Sequence, residues 1–147
     1  MTATGTLDKA APAAYKALLR WSGEVAALAR LAGLDERAVE LVKIRCSQLN
    51  ECAYCLRMHT RDAIAKGETT DRLAVIAAWR DSGYFSPKER AMLALAERTT
   101  LISTRSDVAD DELEALTAEQ IAAAQWITVV MNAFNRVAIT SDYPVHP

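Results

Sequence analysis

The chain has 147 residues, 51% of them hydrophobic, and a formal charge of −2, a balance that suits one domain burying its own core without disulfide or metal staples. No apolar run of about eighteen residues and no Lys/Arg cluster occurs, so neither a membrane span nor an electrostatic footprint for nucleic acid is expected. The opening Met1-Thr2-Ala3-Thr4-Gly5 lacks the charged and apolar regions of a signal peptide, which makes a cytoplasmic protein acting on a small molecule the expectation.

Residues 13–31 place Tyr15, Leu18, Leu19, Val25, Leu28 and Leu31 at helical spacing, and Gly33 is suited to end that helix. Asp35 can cap a second helix with apolar positions at Ala38, Leu41, Val42, Ile44, Cys46 and Leu49, among which Glu40 is a rare acid. A third helix is predicted from about Cys52 to Lys66, stopped by Gly67 in the left-handed position that follows a helix. Thr70 is expected to cap a fourth over 73–79. Ser86-Pro87-Lys88-Glu89 reads as a capping box with proline at the first helical position, opening a fifth helix through Leu101. Residues 104–111 read as a polar turn, 112–116 as a short helix, and Thr117-Ala118-Glu119-Gln120 as a second capping box. The helix that follows, over 121–139, is apolar on nearly every side, which predicts burial and a subunit interface. No convincing alternating segment is present, so the expected fold is all-α: a compact single-domain bundle of about six to seven helices spanning residues 1–147.

The chemistry concentrates between residues 40 and 59. On a helix beginning near Cys52, offsets of three, four and seven bring Cys52, Cys55 and His59 to one face. A short turn at Asn50-Glu51 folds the preceding helix back and brings Glu40 toward His59. An ordinary thiol is only about 3% thiolate at pH 7, and the thiolate is the nucleophile. The helix start at Cys52, and a proton acceptor one turn beyond Cys55 at His59, both favour the thiolate. Glu40 is the acid that would orient His59 and stabilise its charged form. Residues three apart on a helix have Cα atoms about 5 to 5.5 Å apart, within reach of a disulfide, so the pair can cycle between dithiol and disulfide. Zinc bound by Cys52, Cys55, His59 and Glu40 is the rival reading, although three ligands on one helix crowd a tetrahedron. A c-type haem site is excluded because Leu56, not histidine, follows the second cysteine. A thioredoxin-like fold would need a strand before the motif, where helical periodicity stands instead. Cys46, at an apolar position with no partner, reads as a buried structural thiol. Trp21, Trp79 and Trp126 read as core or interface, and His146 as part of a mobile terminus.

Glu40 … Cys52-x-x-Cys55-x-x-x-His59 resembles the signature of the alkylhydroperoxidase D (AhpD)-like branch of the carboxymuconolactone decarboxylase superfamily. The similarity extends to Ser47-Gln48-Leu49-Asn50, His59-Thr60-Arg61-Asp62-Ala63, Gly67-Glu68, Ala78-Trp79, Phe85-Ser86, Glu89-Arg90-Ala91, Leu93-Ala94-Leu95-Ala96-Glu97 and Asn135-Arg136, covering most of residues 15–140. The resemblance implies an all-helical fold, homo-oligomers of three or six subunits, and reduction of a small-molecule peroxide, organic or hydrogen peroxide, without metal or cofactor. It also implies roles: Cys55 as the attacking thiol, Cys52 as its resolving partner, His59 with Glu40 as a proton relay, and a dithiol reductant, lipoyl or thioredoxin-like. Two positions depart from the pattern. Tyr54 stands where the best-studied members have a second histidine, and Glu51 where many have glycine. A non-enzymatic redox sensor using the same disulfide is the alternative function, and true decarboxylation a weaker one, because decarboxylase-like members lack the cysteine pair.

Overall fold

The computed structural model describes residues 5–104 and 107–147, and among these the chain forms eight α-helices and two 3₁₀ segments. The five long helices are α2 (Pro12–Leu31), α3 (Glu36–Leu49), α4 (Ala53–Ala65), α6 (Pro87–Thr100) and α8 (Ala118–Thr140); α1 (Leu7–Ala10), α5 (Thr70–Ala74) and α7 (Asp110–Leu113) are single turns or little more. No strand occurs among the described residues.

Local chemistry explains the boundaries. Pro12 sits in the first turn of α2, Asp35 accepts the backbone N–H groups of Arg37 and Ala38, and both capping boxes, Ser86 with Glu89 and Thr117 with Gln120, are closed in both directions. Each box satisfies two donors that the first turn of a helix would otherwise leave unpaired. Gly67, at φ 89°, ends α4 as expected. Its N–H bonds to Ile64 and that of Glu68 to Ala63, the double closure that a left-handed residue makes possible.

The expected fourth helix divides. Thr69, not Thr70, is the cap, accepting the N–H of Arg72, and α5 gives way to a 3₁₀ segment, Ile76–Asp81, with non-helical backbone at Ala78. The reason is a long-range competitor: the Arg90 guanidinium draws in the carbonyls of Trp79, Arg80 and Ser82 at 3.1 to 3.2 Å. Trp79 is thereby tucked into the core, with its indole N–H on Glu97 at 2.8 Å. The helix expected over 112–116 lies at Asp110–Leu113 instead, where three acids occupy its first turn and complement the helix dipole. Of the polar turn expected over 104–111, residues 105 and 106 lie outside the described residues.

Helix α8 packs against α2, α3 and α6, while α3 also packs against α4 and α6. Helices α3 and α6 each face two ways. Val42, Cys46, Met92, Leu95 and Ala96 join a core with α8, whereas Leu41, Ile44, Leu93 and Ala94 join a second core with Ile76, Trp79 and Phe85. Most of α8 is therefore covered within one chain, but Trp126, Val129 and Ile139 remain exposed on its outer side.

Candidate active site

The site is built on the joint between α3 and α4. Asn50, Glu51 and Cys52 alone separate the two helices. The N–H of Glu51 bonds to Gln48 at 3.1 Å and that of Cys52 to Ser47 at 2.9 Å, closing α3 through a left-handed residue, Glu51 at φ 55°, in the position that glycine usually fills. Cys52 is simultaneously the N-cap of α4, and its sulfur accepts the Cys55 N–H at 3.3 Å. The sequence expectation set the start of the helix at about Cys52, and the cysteine stands at that start. It precedes Ala53 with extended backbone, φ −87° and ψ 92°, so its sulfur reaches Cys55 as a capping group rather than along a helical face. The two sulfurs are bonded, with Cα atoms 5.3 Å apart, and both residues are buried.

The antiparallel return of α4 on α3 brings His59 to Glu40: Nδ1 lies 2.9 Å from Oε2. The other carboxylate oxygen, Oε1, accepts from Lys43 at 2.9 Å and from Lys66 at 2.6 Å. Burial alone pushes the Glu40 carboxyl upward, but the hydrogen bond from His59 and the charges and hydrogen bonds of Lys43 and Lys66 outweigh it and hold the group at about 2. Glu40 is thus an anion at neutral pH. It takes a proton-bearing Nδ1 as its donor and leaves Nε2 as the basic position of the ring.

A cavity of about 380 Å³ opens among α2, α3, α4 and α8. Tyr54, Cys55, Met58 and His59 form its α4 wall; Cys52 does not line it. Tyr54 packs edge-to-face on Tyr143 with ring centroids 5.1 Å apart, and the Tyr143 hydroxyl donates to Asp8 at 2.9 Å, tying α1 to the end of α8. Tyr54 is therefore an aromatic wall of the cavity.

A partly buried chain of amides supports the joint from behind. Asn50 Nδ2 donates to the side-chain oxygens of Asn132 and Asn135, both at 2.9 Å, and Asn135 Nδ2 donates to Ser47 at 3.1 Å. Asn135, without a role in the sequence reading, is thus fully buried against both ends of the turn that presents Cys52. Arg136 is exposed, and its guanidinium bonds back to Asn132. Cys46 is free and fully buried; burial pushes its thiol up to about 11.

The zinc set considered from the sequence is not the cluster that the fold assembles. Glu40, His59 and Asp62 bring ligand atoms within 4.8 Å of one another, but the two ammonium groups already on Glu40 would face any cation placed there, and the cysteines are joined to each other. Lys43 and Lys66 were not singled out from the sequence. The signal was present: Lys43 lies three residues beyond Glu40 on one helix, and Lys66 seven beyond His59 on the other.

The model of the carboxymuconolactone decarboxylase family matches residues 12–98, more than half of the chain, and the protein belongs to that family. It is 40% identical over 105 residues to an uncharacterized protein of Bacillus subtilis, YdfG, covering 68% of this chain and 70% of that one. It is 31% identical over 68 residues to the uncharacterized Escherichia coli protein YnjA, covering 46% and 37%. In three dimensions it is similar to a crystal structure of a protein of unknown function from Agrobacterium tumefaciens, ATU0492, named as a candidate antioxidant defence protein AhpD. The TM-score is 0.83 at 28% identity, over 97% of this chain and 99% of that one. Within the family, fold and cysteine pair together place the chain on the AhpD-like branch. No helix among the described residues is long and apolar enough to cross a membrane.

Proposed function

We propose that this protein is a thiol-dependent peroxidase that cycles Cys52 and Cys55 between dithiol and disulfide. The observation that carries the reading is an asymmetry: Cys55 and His59 share a cavity wall that Cys52 does not reach. A substrate in the cavity therefore meets the sulfur one turn from the imidazole. His59 Nε2 takes the Cys55 proton, and the thiolate attacks the terminal oxygen of the hydroperoxide. The O–O bond breaks, its electron pair leaves on the alkoxide, and the imidazolium returns the proton, giving an alcohol and a Cys55 sulfenic acid. Cys52 then attacks that sulfur, the disulfide forms, and the hydroxyl leaves as water with the Cys52 proton. A dithiol reductant restores the pair by exchange and ends as its own disulfide. Glu40 holds the imidazole in the tautomer that keeps Nε2 basic.

The helix dipole favours Cys52 as the thiolate by about 0.3 to 1 kcal/mol, whereas a hydrogen bond to a charged partner favours Cys55 by about 1.5 to 3 kcal/mol. Cys52→Ser is expected to accumulate one dimedone-trapped sulfenic acid on Cys55 when given peroxide, and Cys55→Ser to react far more slowly. Rapid trapping on Cys52 in the second variant, with none on Cys55 in the first, would reverse the assignment. A reversible disulfide with no turnover across organic peroxides and dithiols would make the protein a redox sensor instead.

A further inference from the structure

The cavity carries information about the substrate that the cysteine chemistry leaves open. Away from α4, its walls are mainly apolar, supplied by Leu19 and Val25 of α2 and by Ile127, Val130, Phe134 and Val137 of α8. Its α3–α4 edge is cationic. Lys43 and Lys66 both line the cavity, and both donate to the same oxygen of Glu40. Glu40 and Asp62, the carboxylates of this cluster, do not line the cavity, so the charge that the edge presents to it is that of the two ammonium groups, and the two remaining charged lining residues, Arg30 and Glu36, offset one another. Both lysine side chains keep partial contact with solvent, at 28% and 35% exposure, and each ammonium has three donors, of which Glu40 holds one.

We infer that the cavity selects amphipathic organic hydroperoxides, with the apolar body against α2 and α8 and a carboxylate at Lys43 and Lys66. The inference rests on the peroxidase reading of the same site and adds the substrate class to it. Ammonium groups, Glu40 and His59 form one continuous row, so the carboxylate would lie within the span of a carboxylate and an imidazole from the ring that serves Cys55. A single molecule can then engage the charge and the thiol from one wall. A cavity of this volume falls within the range of small-molecule sites, roughly 300 to 1,000 Å³, in which a few polar groups orient a mainly apolar ligand. Hydrogen peroxide could use neither feature.

The test compares a long-chain fatty acid hydroperoxide with its methyl ester, which differ only in the charge. Oxidation of the reduced protein is expected to be about fivefold faster with the acid at low salt, as for one partly screened ion pair. That ratio should fall toward one in high salt and in Lys66→Gln, which leaves Lys43 on Glu40. Equal rates for acid and ester in the unaltered protein would overturn the cationic half of the inference, and hydrogen peroxide outpacing both would overturn the apolar half. Binding of laurate against dodecanol, followed by calorimetry on the disulfide form, separates this inference from the peroxidase reading. If no peroxide is turned over yet laurate binds more tightly than dodecanol, only the redox reading fails; if laurate does not bind, the ligand class fails whatever the peroxide kinetics show.

Discussion

The side-chain amide of Asn50 donates to the side-chain oxygen of Asn135 at 2.9 Å, across 85 residues of sequence, and so fastens the turn that presents Cys52 to the C-terminal third of α8. Asn135 also donates to Ser47, three residues before Asn50. The two bonds bracket the end of α3 and make the position of the cysteine joint depend on α8.

Replacing Asn135 with alanine would leave half-buried Asn50 short of one acceptor and fully buried Ser47 without that donor. The expected loss is about 1 to 3 kcal/mol, the range for buried groups deprived of a partner. Urea unfolding with an unchanged slope is the measurement. A loss below a few tenths of a kcal/mol would mean that water or a neighbouring side chain replaces the amide.

Glu40 links acid stability to the site. Its carboxyl is held at about 2 in the fold, down from an ordinary 4.5, so folding is favoured with the group ionised. That contribution is complete above about pH 4.5, declines as pH falls, and is gone below about pH 2; its full size is about 3 kcal/mol. Glu40→Gln is expected to unfold more easily at neutral pH, and its stability should change less between pH 5 and pH 3 than that of the unaltered protein. Parallel stability–pH curves for the two proteins would show that Glu40 is not the linked group.

Cys46 should be chemically silent. It is fully buried and its thiol is pushed up to about 11, so a thiol reagent at pH 8 should leave it unmodified in the native, disulfide-closed protein and label it once denaturant is added. Cys46→Ser is expected to keep its turnover with some loss of stability. Fast native labelling would remove Cys46 from the core.

Glu51 occupies left-handed backbone at φ 55°, where a side chain costs on the order of 1 kcal/mol relative to glycine. Glu51→Gly should be neutral or stabilising by up to about 1 kcal/mol in thermal unfolding, even though glycine elsewhere in the chain would destabilise. A clear loss of stability would mean that the Glu51 side chain makes compensating contacts.

Oligomerisation is expected through the outer side of α8, where Trp126, Val129 and Ile139 are exposed and Trp126 stands edge-on to Trp21 with ring centroids 5.7 Å apart. Light scattering at micromolar concentration should give a trimer or hexamer, and Trp126→Glu should lower that mass while the helical circular dichroism persists. A monomer in the unaltered protein would leave this apolar stripe without a self-association role.

Much of this architecture is legible in the amino-acid sequence because it is locally encoded. The capping boxes at Ser86 and Thr117, the stop at Gly67 and the periodicity of α3 are each decided within a few residues. The split of the fourth helix was not legible, since the cause, Arg90 drawing on the carbonyls of Trp79, Arg80 and Ser82, lies on another helix. At the site, the return of α4 on α3 made the meeting of Glu40 and His59 foreseeable. Besides the nearby Lys43 and Lys66, what escaped came from farther along the chain: the amide of Asn135, the Tyr143 ring on Tyr54, and the apolar wall of α8.

The joint at Asn50, Glu51 and Cys52 contains no slack, because Cys52 finishes one helix and begins the next with the same residue. Lengthening the chain by a single residue there would turn everything downstream by roughly 100° about the axis of α4, since a helix has about 3.6 residues per turn. His59 would leave Glu40 and Cys55 would leave the cavity, though every side chain were still present. Relatives that keep this chemistry are therefore expected to tolerate changes of residue type across the joint far more readily than changes of length, so that gaps in their alignments should fall before α3 or after α4 and never between them.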